Sequence, residues 1–408
     1  MNEQLAVVAE GSIPLSRDAR IIAVVGFAHL VSHFSHLIIA PLFPWLQDEF
    51  GYSFAELGFV MTVFFIVSGA FQAAAGFVVD RFGAGSTLIG GLLCLSIGAL
   101  AFSLSESYSG LLIAAAISGL GNSVFHPVDF SMLNSRVSEP RLGPAYSVHG
   151  LTGSLGWAFA PLFLVGFATP FGWRVALAAA ALVPLLVIIV LLLNRDLLRT
   201  STSETTKKLG DSTSSTGSMA FLWRREIWWC FGFFVFVSGA IGAAQNFAPS
   251  IFSAEYAMKV QPAAMSVTTM MLGSALGMAF GGWLVVRSRH LERNITVALA
   301  LAGLNAVLIG LGTVSPSVAL GLMGVLGFGL GLSGPSRDML IRSAAPPGAT
   351  GRVYGVVYSG LDVGIALAPV FFGGMMDRGY FGEVFYGIAA CMLFSIVTAW
   401  RVGRTDTI

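Results

Sequence analysis

The chain is a succession of apolar runs broken by short polar turns. A helix needs roughly 20 apolar residues to cross a bilayer. Read with that length, the pattern predicts twelve membrane-crossing helices, near 20–46, 53–79, 86–104, 108–135, 143–168, 173–194, 225–253, 263–287, 293–313, 317–343, 352–376 and 382–401. They are called spans 1 to 12. One polar stretch stands apart, from Arg195 to Arg224, rich in Ser, Thr and Lys. It lacks the apolar surface to build a core and reads as a linker. The pattern divides the chain into a six-helix bundle over 1–195, a cytoplasmic linker over 196–223 and a second six-helix bundle over 224–408. The expected fold class is therefore an all-α membrane protein of two pseudo-symmetric bundles.

Composition supports this division. Hydrophobic residues make up 55% of the chain and charged residues 11%, against about 25% charged in soluble domains. The mean hydropathy is +0.80. A net charge of +1 gives no basic surface for nucleic acid. Cys94, Cys230 and Cys391 lie far apart inside apolar runs and form neither a disulfide framework nor a metal-ligand spacing. Glu3 and Glu10, and the long apolar run after Arg20, do not fit a cleaved signal peptide, so span 1 is expected in the mature protein. With a cytoplasmic N-terminus, all of the 22 basic residues except Arg174, Lys259 and Arg378 fall on the cytoplasmic side. Both termini and the linker are thus expected in the cytoplasm, with a bacterial inner membrane as the location.

An internal repeat runs through the two halves. Pro41 and Pro249, Pro127 and Pro335, and Pro161 and Pro369 are each 208 residues apart, and Ala40-Pro41 and Ala160-Pro161 keep their alanine in the second copy. Gly119, Gly121, Gly156 and Gly166 match Gly327, Gly329, Gly364 and Gly374 at the same offset. A proline inside a membrane helix is a positioned kink, so its recurrence carries structural information. Two six-helix copies in one orientation form a parallel repeat, which places a binding site near mid-membrane between them.

The turn between spans 2 and 3 reads Gly76-Phe-Val-Val-Asp80-Arg81-Phe-Gly83. It resembles the G-x-x-x-D-R-x-G signature of the major facilitator superfamily. Span 4 reads Gly119-Leu-Gly-Asn-Ser-Val-Phe-His126-Pro127, which is similar to the fosmidomycin-resistance-type branch of that superfamily. The resemblance implies a transporter working by alternating access. It implies a gating role for Gly76, Asp80, Arg81 and Gly83, with Asp80 latching the cytoplasmic face at a helix N-terminus. A solvated turn is the plain alternative.

Ionisable groups inside a bilayer are costly, so each one is a functional candidate. Span 1 carries His29, His33 and His36, whose spacing of four and three sets them on one helical face. They read as a polar stripe facing a wet cavity, as structural histidines bonded to neighbouring helices, or as a metal site lacking a fourth ligand of obvious spacing. Span 4 carries Asn122, His126 and Asp129 on one face. The repeat sets Asp129 level with Arg337 on span 10, so these two are expected to pair across the seam when the cytoplasmic side closes; the local alternative pairs Arg337 with the adjacent Asp338 or its own loop. Span 5 offers Tyr146 and His149; span 7 offers Gln245 and Asn246; span 11 offers Tyr354, Tyr358 and Asp362; Gln72 on span 2 is of the same kind. Each also fits helix-to-helix hydrogen bonding. Small faces at Gly150, Gly153 and Gly156 and at Gly273, Gly277 and Gly281 suit halves that rock. Trp173 and Arg174 suit an interfacial anchor.

No G-x-x-x-x-G-K-[ST] phosphate loop occurs, so an ion gradient is the expected energy source. The reading is proton-coupled efflux of a small, anionic or drug-like organic solute, or uptake of an organic anion by symport with Arg337 as anchor. Asp129, His126 and His33 are the expected proton-coupling residues. His29, His36, Asn122, His149, Gln245, Asn246, Arg337, Tyr358 and Asp362 are the expected substrate contacts. No catalytic residue, metal, cofactor or nucleic-acid partner is expected, and the chain is expected to act as a monomer in the lipid bilayer.

Overall fold

The computed structural model describes residues 15–197, 223–288, 290–344 and 350–403, and leaves the side chains of Ala73, Asp80 and 341–355 outside the description. Most of the linker lies outside it too, as do the side chains of Asp80 and Tyr354. Twelve helices among the described residues are long and apolar enough to cross a membrane. Span 1 covers Leu15–Phe50. Spans 2 to 6 are the helices Phe54–Phe82, Ala84–Ser103, Tyr108–Arg136, Leu142–Phe171 and Trp173–Leu193. Spans 7 to 12 are Arg225–Glu255, Val260–Arg287, Leu291–Gly310, Pro316–Ala344, Thr350–Met376 and Phe381–Gly403.

Local signals set the ends. Span 2 starts in a capping box: the Glu56 amide donates to Ser53 Oγ at 3.2 Å and the Ser53 amide to Glu56 Oε2 at 2.9 Å. It stops at Gly83, whose φ of 82° suits glycine and explains the last position of the G-x-x-x-D-R-x-G turn. The prolines act unequally. In span 1 the α-helix ends at His36 and resumes at Phe43, with Pro41 in the 3₁₀ turn between. Span 4 breaks between Asn122 and Phe125, just before Pro127. A proline has no N–H for the carbonyl four residues back, and its ring crowds that carbonyl. Their repeat partners Pro249 and Pro335 sit inside unbroken helices. The repeated sequence therefore gives broken helices only in the first half.

Glycines bring helices together within each half. A side chain at Gly156 on span 5 would strike the Leu30 carbonyl of span 1, and one at Gly273 or Gly277 on span 8 would strike the span 10 backbone at Gly324 or Phe328. The small faces expected to serve sliding between halves mostly lock helices inside a half. Gly150 is the exception, with Met278 Sδ of the other half 3.5 Å from the position of a Cβ.

The halves meet along spans 2 and 11, which run antiparallel, and along spans 5 and 8. At the end far from the linker, Asp377 accepts from the Phe54 amide at 2.7 Å and the Ala55 amide at 2.9 Å. A carboxylate of one half thus caps the first turn of a helix in the other, where the helix dipole favours negative charge. Gly58 then packs on the Pro369 carbonyl, and Thr62 Oγ1 donates to the Ala366 carbonyl at 2.5 Å. Thr268 Oγ1 of span 8 donates to the Ala158 carbonyl of span 5 at 2.9 Å. The sequence of contacts along spans 2 and 11 ends at Gly69, where a Cβ would lie 3.5 Å from Asp362 Cβ. Two turns further toward the linker, Gly76 has open space around it. The far end is closed, and nearer the linker the described approach between the halves is that of Gly150 on span 5 to Met278 on span 8. Also at the far end, Arg174 bonds Glu49 at 2.8 Å and lies over the Trp173 ring at 4.1 Å, as an interfacial anchor should.

Candidate functional site

The break in span 4 turns Asn122 and His126 toward span 1. Gly153 and Gly156 let span 5 approach span 1 closely enough for His149 to reach the same place. A side chain at Gly153 would fall 2.7 Å from the His33 ring. The outcome is one polar core inside the first half, in two adjoining groups.

The first group surrounds Asp129, which is fully buried. His29 Nδ1 lies 3.0 Å and His149 Nε2 lies 3.1 Å from Asp129 Oδ2. A carboxylate accepts only, so both ring nitrogens carry hydrogens and donate. The two imidazoles stack with centroids 3.5 Å apart. His126 stands 5.4 Å from His29 and 6.2 Å from His149, centroid to centroid. His33 is 4.3 Å from His29 and packs on Trp157 at 4.1 Å. Asp129 Oδ1, His126 Nδ1 and both ring nitrogens of His33 are buried without a hydrogen-bond partner.

The second group centres on Asn122. Its Oδ1 accepts from Ser32 Oγ at 2.6 Å and from His36 Nε2 at 3.1 Å, and its Nδ2 donates to Ser68 Oγ at 2.9 Å. Trp157 Nε1 reaches His36 Nδ1 at 3.3 Å. Indole N–H only donates, so His36 Nδ1 accepts, its proton sits on Nε2, and the ring is neutral. Every polar atom of Asn122 and His36 is matched.

The other expected contacts do not join this core. Gln245 Nε2 reaches Met271 Sδ at 3.5 Å, Asn246 Nδ2 donates to the Gly242 carbonyl at 2.8 Å, and the side-chain oxygens of both are buried without a partner. Arg337 Nε bonds Asp338 at 2.9 Å and its guanidinium lies 4.7 Å from the Phe234 ring centre. Tyr358 Oη donates to the same Asp338 at 3.1 Å. With the linker end open, Asp129 and Arg337 are matched each inside its own half; their pairing is an expectation for the closed cytoplasmic side. Equal depth in a repeat does not fix the direction a side chain points, and span 4 is broken where span 10 runs unbroken. Asp362 is half-buried beside Gly69, and among the described residues no hydrogen bond or cation reaches its carboxylate. Of the gating turn, Arg81 is exposed over Phe82 and Gly83 ends the helix.

Sequence reading missed Ser32, Ser68, Trp157 and Asp377, while the contact of Arg337 with the adjacent Asp338 is the local alternative that it offered. Ser32 lies four residues before His36, and Trp157 eight after His149, so both share a helical face with a candidate that was found. Asp377 carries no such signal.

Two six-helix bundles joined at one end, with polar side chains on spans 1, 4 and 5 and a carboxylate on the seam, define a membrane transporter. The Major Facilitator Superfamily profile matches residues 25–369, and the chain belongs to that family. It is a multi-pass membrane transporter and not an enzyme. Relatives include the fosmidomycin resistance protein of Escherichia coli (strain K12), 30% identical over 194 residues, which spans 45% of this chain and 47% of that protein. An uncharacterized MFS-type transporter, YfnC of Bacillus subtilis (strain 168), is 25% identical over 92% of this chain and 91% of its own length. A bacterial homologue of the human lysosomal transporter Spinster, solved inward-facing and occupied, superposes with a TM-score of 0.76 at 14% identity over 97% of this chain and 98% of its own. That likeness concerns the fold.

Proposed function

We propose that this chain exports a small organic solute by alternating access, driven by a proton gradient, with its linker end in the cytoplasm of a bacterium. The observation that carries the reading is the seam. Spans 2 and 11 are joined from Asp377 to Gly69, which faces Asp362, and two turns further on Gly76 has open space around it. Ionised, Asp362 has no counter-charge in an apolar setting; protonated, it is neutral and the seam can close over it. Asp129, the expected proton carrier, already has two donors, so we assign the exchanged proton to Asp362. The polar core of spans 1, 4 and 5 then lines the solute's path, with Asn122 and His36 holding its shape.

Export is supported by the relatives named for fosmidomycin resistance and, in Mycobacterium tuberculosis, as a multidrug resistance protein B homolog at 25% identity over 166 residues. Uptake of an organic anion would need Arg337 as its anchor, and Asp338 holds that guanidinium. The test is flux in proteoliposomes. A proton gradient of the right sign should drive a drug-like solute against its concentration, and collapse of the gradient should stop it. Flux indifferent to the gradient would end the proton reading, and no flux at all would end the transporter reading for that solute. Growth with and without the protein on a panel of toxic compounds, phosphonates included, gives the direction: resistance for export, sensitisation for uptake.

A further inference from the structure

We propose that the first half binds one divalent first-row transition-metal ion, with His29, His126 and His149 as its ligands. One ligand atom from each of these residues can be chosen so that all three lie within 4.8 Å of one another. Three imidazoles from spans 1, 4 and 5 suit zinc, nickel or copper better than calcium or magnesium, which prefer oxygen.

The hydrogen bonds argue for it more than proximity does. His29 Nδ1–H and His149 Nε2–H both donate to Asp129 Oδ2. That leaves the lone pairs on His29 Nε2 and His149 Nδ1. A carboxylate that fixes the tautomer of a histidine from behind is the common outer support of a metal-binding imidazole. Here one buried carboxylate does so for two rings. A purely structural histidine cluster should also satisfy its own nitrogens, because buried polar atoms are nearly always bonded. This one does not: His126 Nδ1 and both nitrogens of His33 are buried without partners. Among the described residues no donor bonds the lone pairs of His29 Nε2 and His149 Nδ1, and a cation would accept both. Around a tetrahedral zinc with bonds of about 2.0–2.1 Å the ligand atoms would draw in to about 3.4 Å. His33, its ring 4.3 Å from His29, is the fourth imidazole in reach. The spacing along span 1 offered His29, His33 and His36 without a fourth ligand; spans 4 and 5 bring His126 and His149 to His29 instead.

The experiment uses the untagged full-length protein in detergent, stripped with a chelator. Titration calorimetry with Zn²⁺ should give one site per chain. Co²⁺ should give the visible absorption bands of a tetrahedral, nitrogen-ligated ion, a readout that needs no variant. His126→Ala and His149→Ala should each weaken zinc by at least about 100-fold, the loss of a direct ligand. Asp129→Asn should weaken it roughly 10- to 100-fold, the usual cost of losing an outer carboxylate. His290→Ala, at an exposed histidine outside the cluster, should leave it unchanged. Absence of zinc binding and of cobalt bands in the wild type would overturn the proposal. So would zinc binding that survives replacement of His29, His126 and His149 together in a monodisperse protein, or that is lost with His290. None of these readouts depends on transport, so the outcome stands apart from the fate of the export reading.

Discussion

The two halves share a repeat and differ in almost everything polar. The first half gathers five histidines, four of them buried and His126 half-buried, with Asn122 and Asp129 in one connected core, built on two helices that proline breaks. The second half keeps its prolines inside unbroken helices, and its polar groups are scattered: Gln245 and Asn246 on span 7, Arg337 with Asp338 and Tyr358, and Asp362 on the seam. A duplicated bundle constrains depth and packing, while the chemistry on each copy is free to diverge. The first half holds a pre-formed, cross-bonded core. The second half supplies the one seam carboxylate that the described residues leave unmatched.

The contrast breaks most sharply at Asp362. Asp362→Asn should abolish proton-driven accumulation in proteoliposomes while downhill exchange of solute persists, and Asp362→Glu should keep part of the drive. Asp362→Asn with full accumulation would return the proton to the first half.

A smaller effect is expected in the fixed core. Asn122→Ala leaves Ser32, His36 and Ser68 without their common partner, and a buried group left unbonded costs about 1–3 kcal/mol. Thermal unfolding in detergent should show that loss, and no loss would mean that water replaces the amide. Third comes the latch between the halves. Asp377→Ala removes the acceptor for two span 2 amides, and a lost helix cap costs about 0.5–2 kcal/mol. The far end should open more often, seen as faster labelling of a cysteine placed at Phe54. The smallest effect is at Trp157→Phe, which removes one hydrogen bond to His36 and keeps the packing on His33. It should cost about 0.5–1.5 kcal/mol.

The architecture was legible because a bilayer demands a long apolar helix at every crossing, and the hydropathy pattern records each one. Observed ends depart from expectation by a few residues, as at span 5, where the helix runs from Leu142 to Phe171. The faces bearing His29, His33 and His36, and Asn122, His126 and Asp129, were legible from helical periodicity. Their convergence was not, since periodicity says which residues share a face and nothing about which helix that face meets. Symmetry sets Asp129 and Arg337 at one level for a pairing expected on closure of the cytoplasmic side, while with the linker end open Asp129 is held by His29 and His149. Asp377 was invisible because its partners are backbone amides of the other half, which no side-chain pattern marks.

Alternating access is the claim on which the rest stands, and paired distances test it most directly. Spin labels at Glu106 and Arg378 report the far end, and labels at Phe77 and Met339 report the linker end; all four positions are exposed. In Asp377→Ala the first distance should lengthen while the second shortens, as the two halves rock about the seam. Two distances that stay fixed, or that lengthen together, would contradict the account.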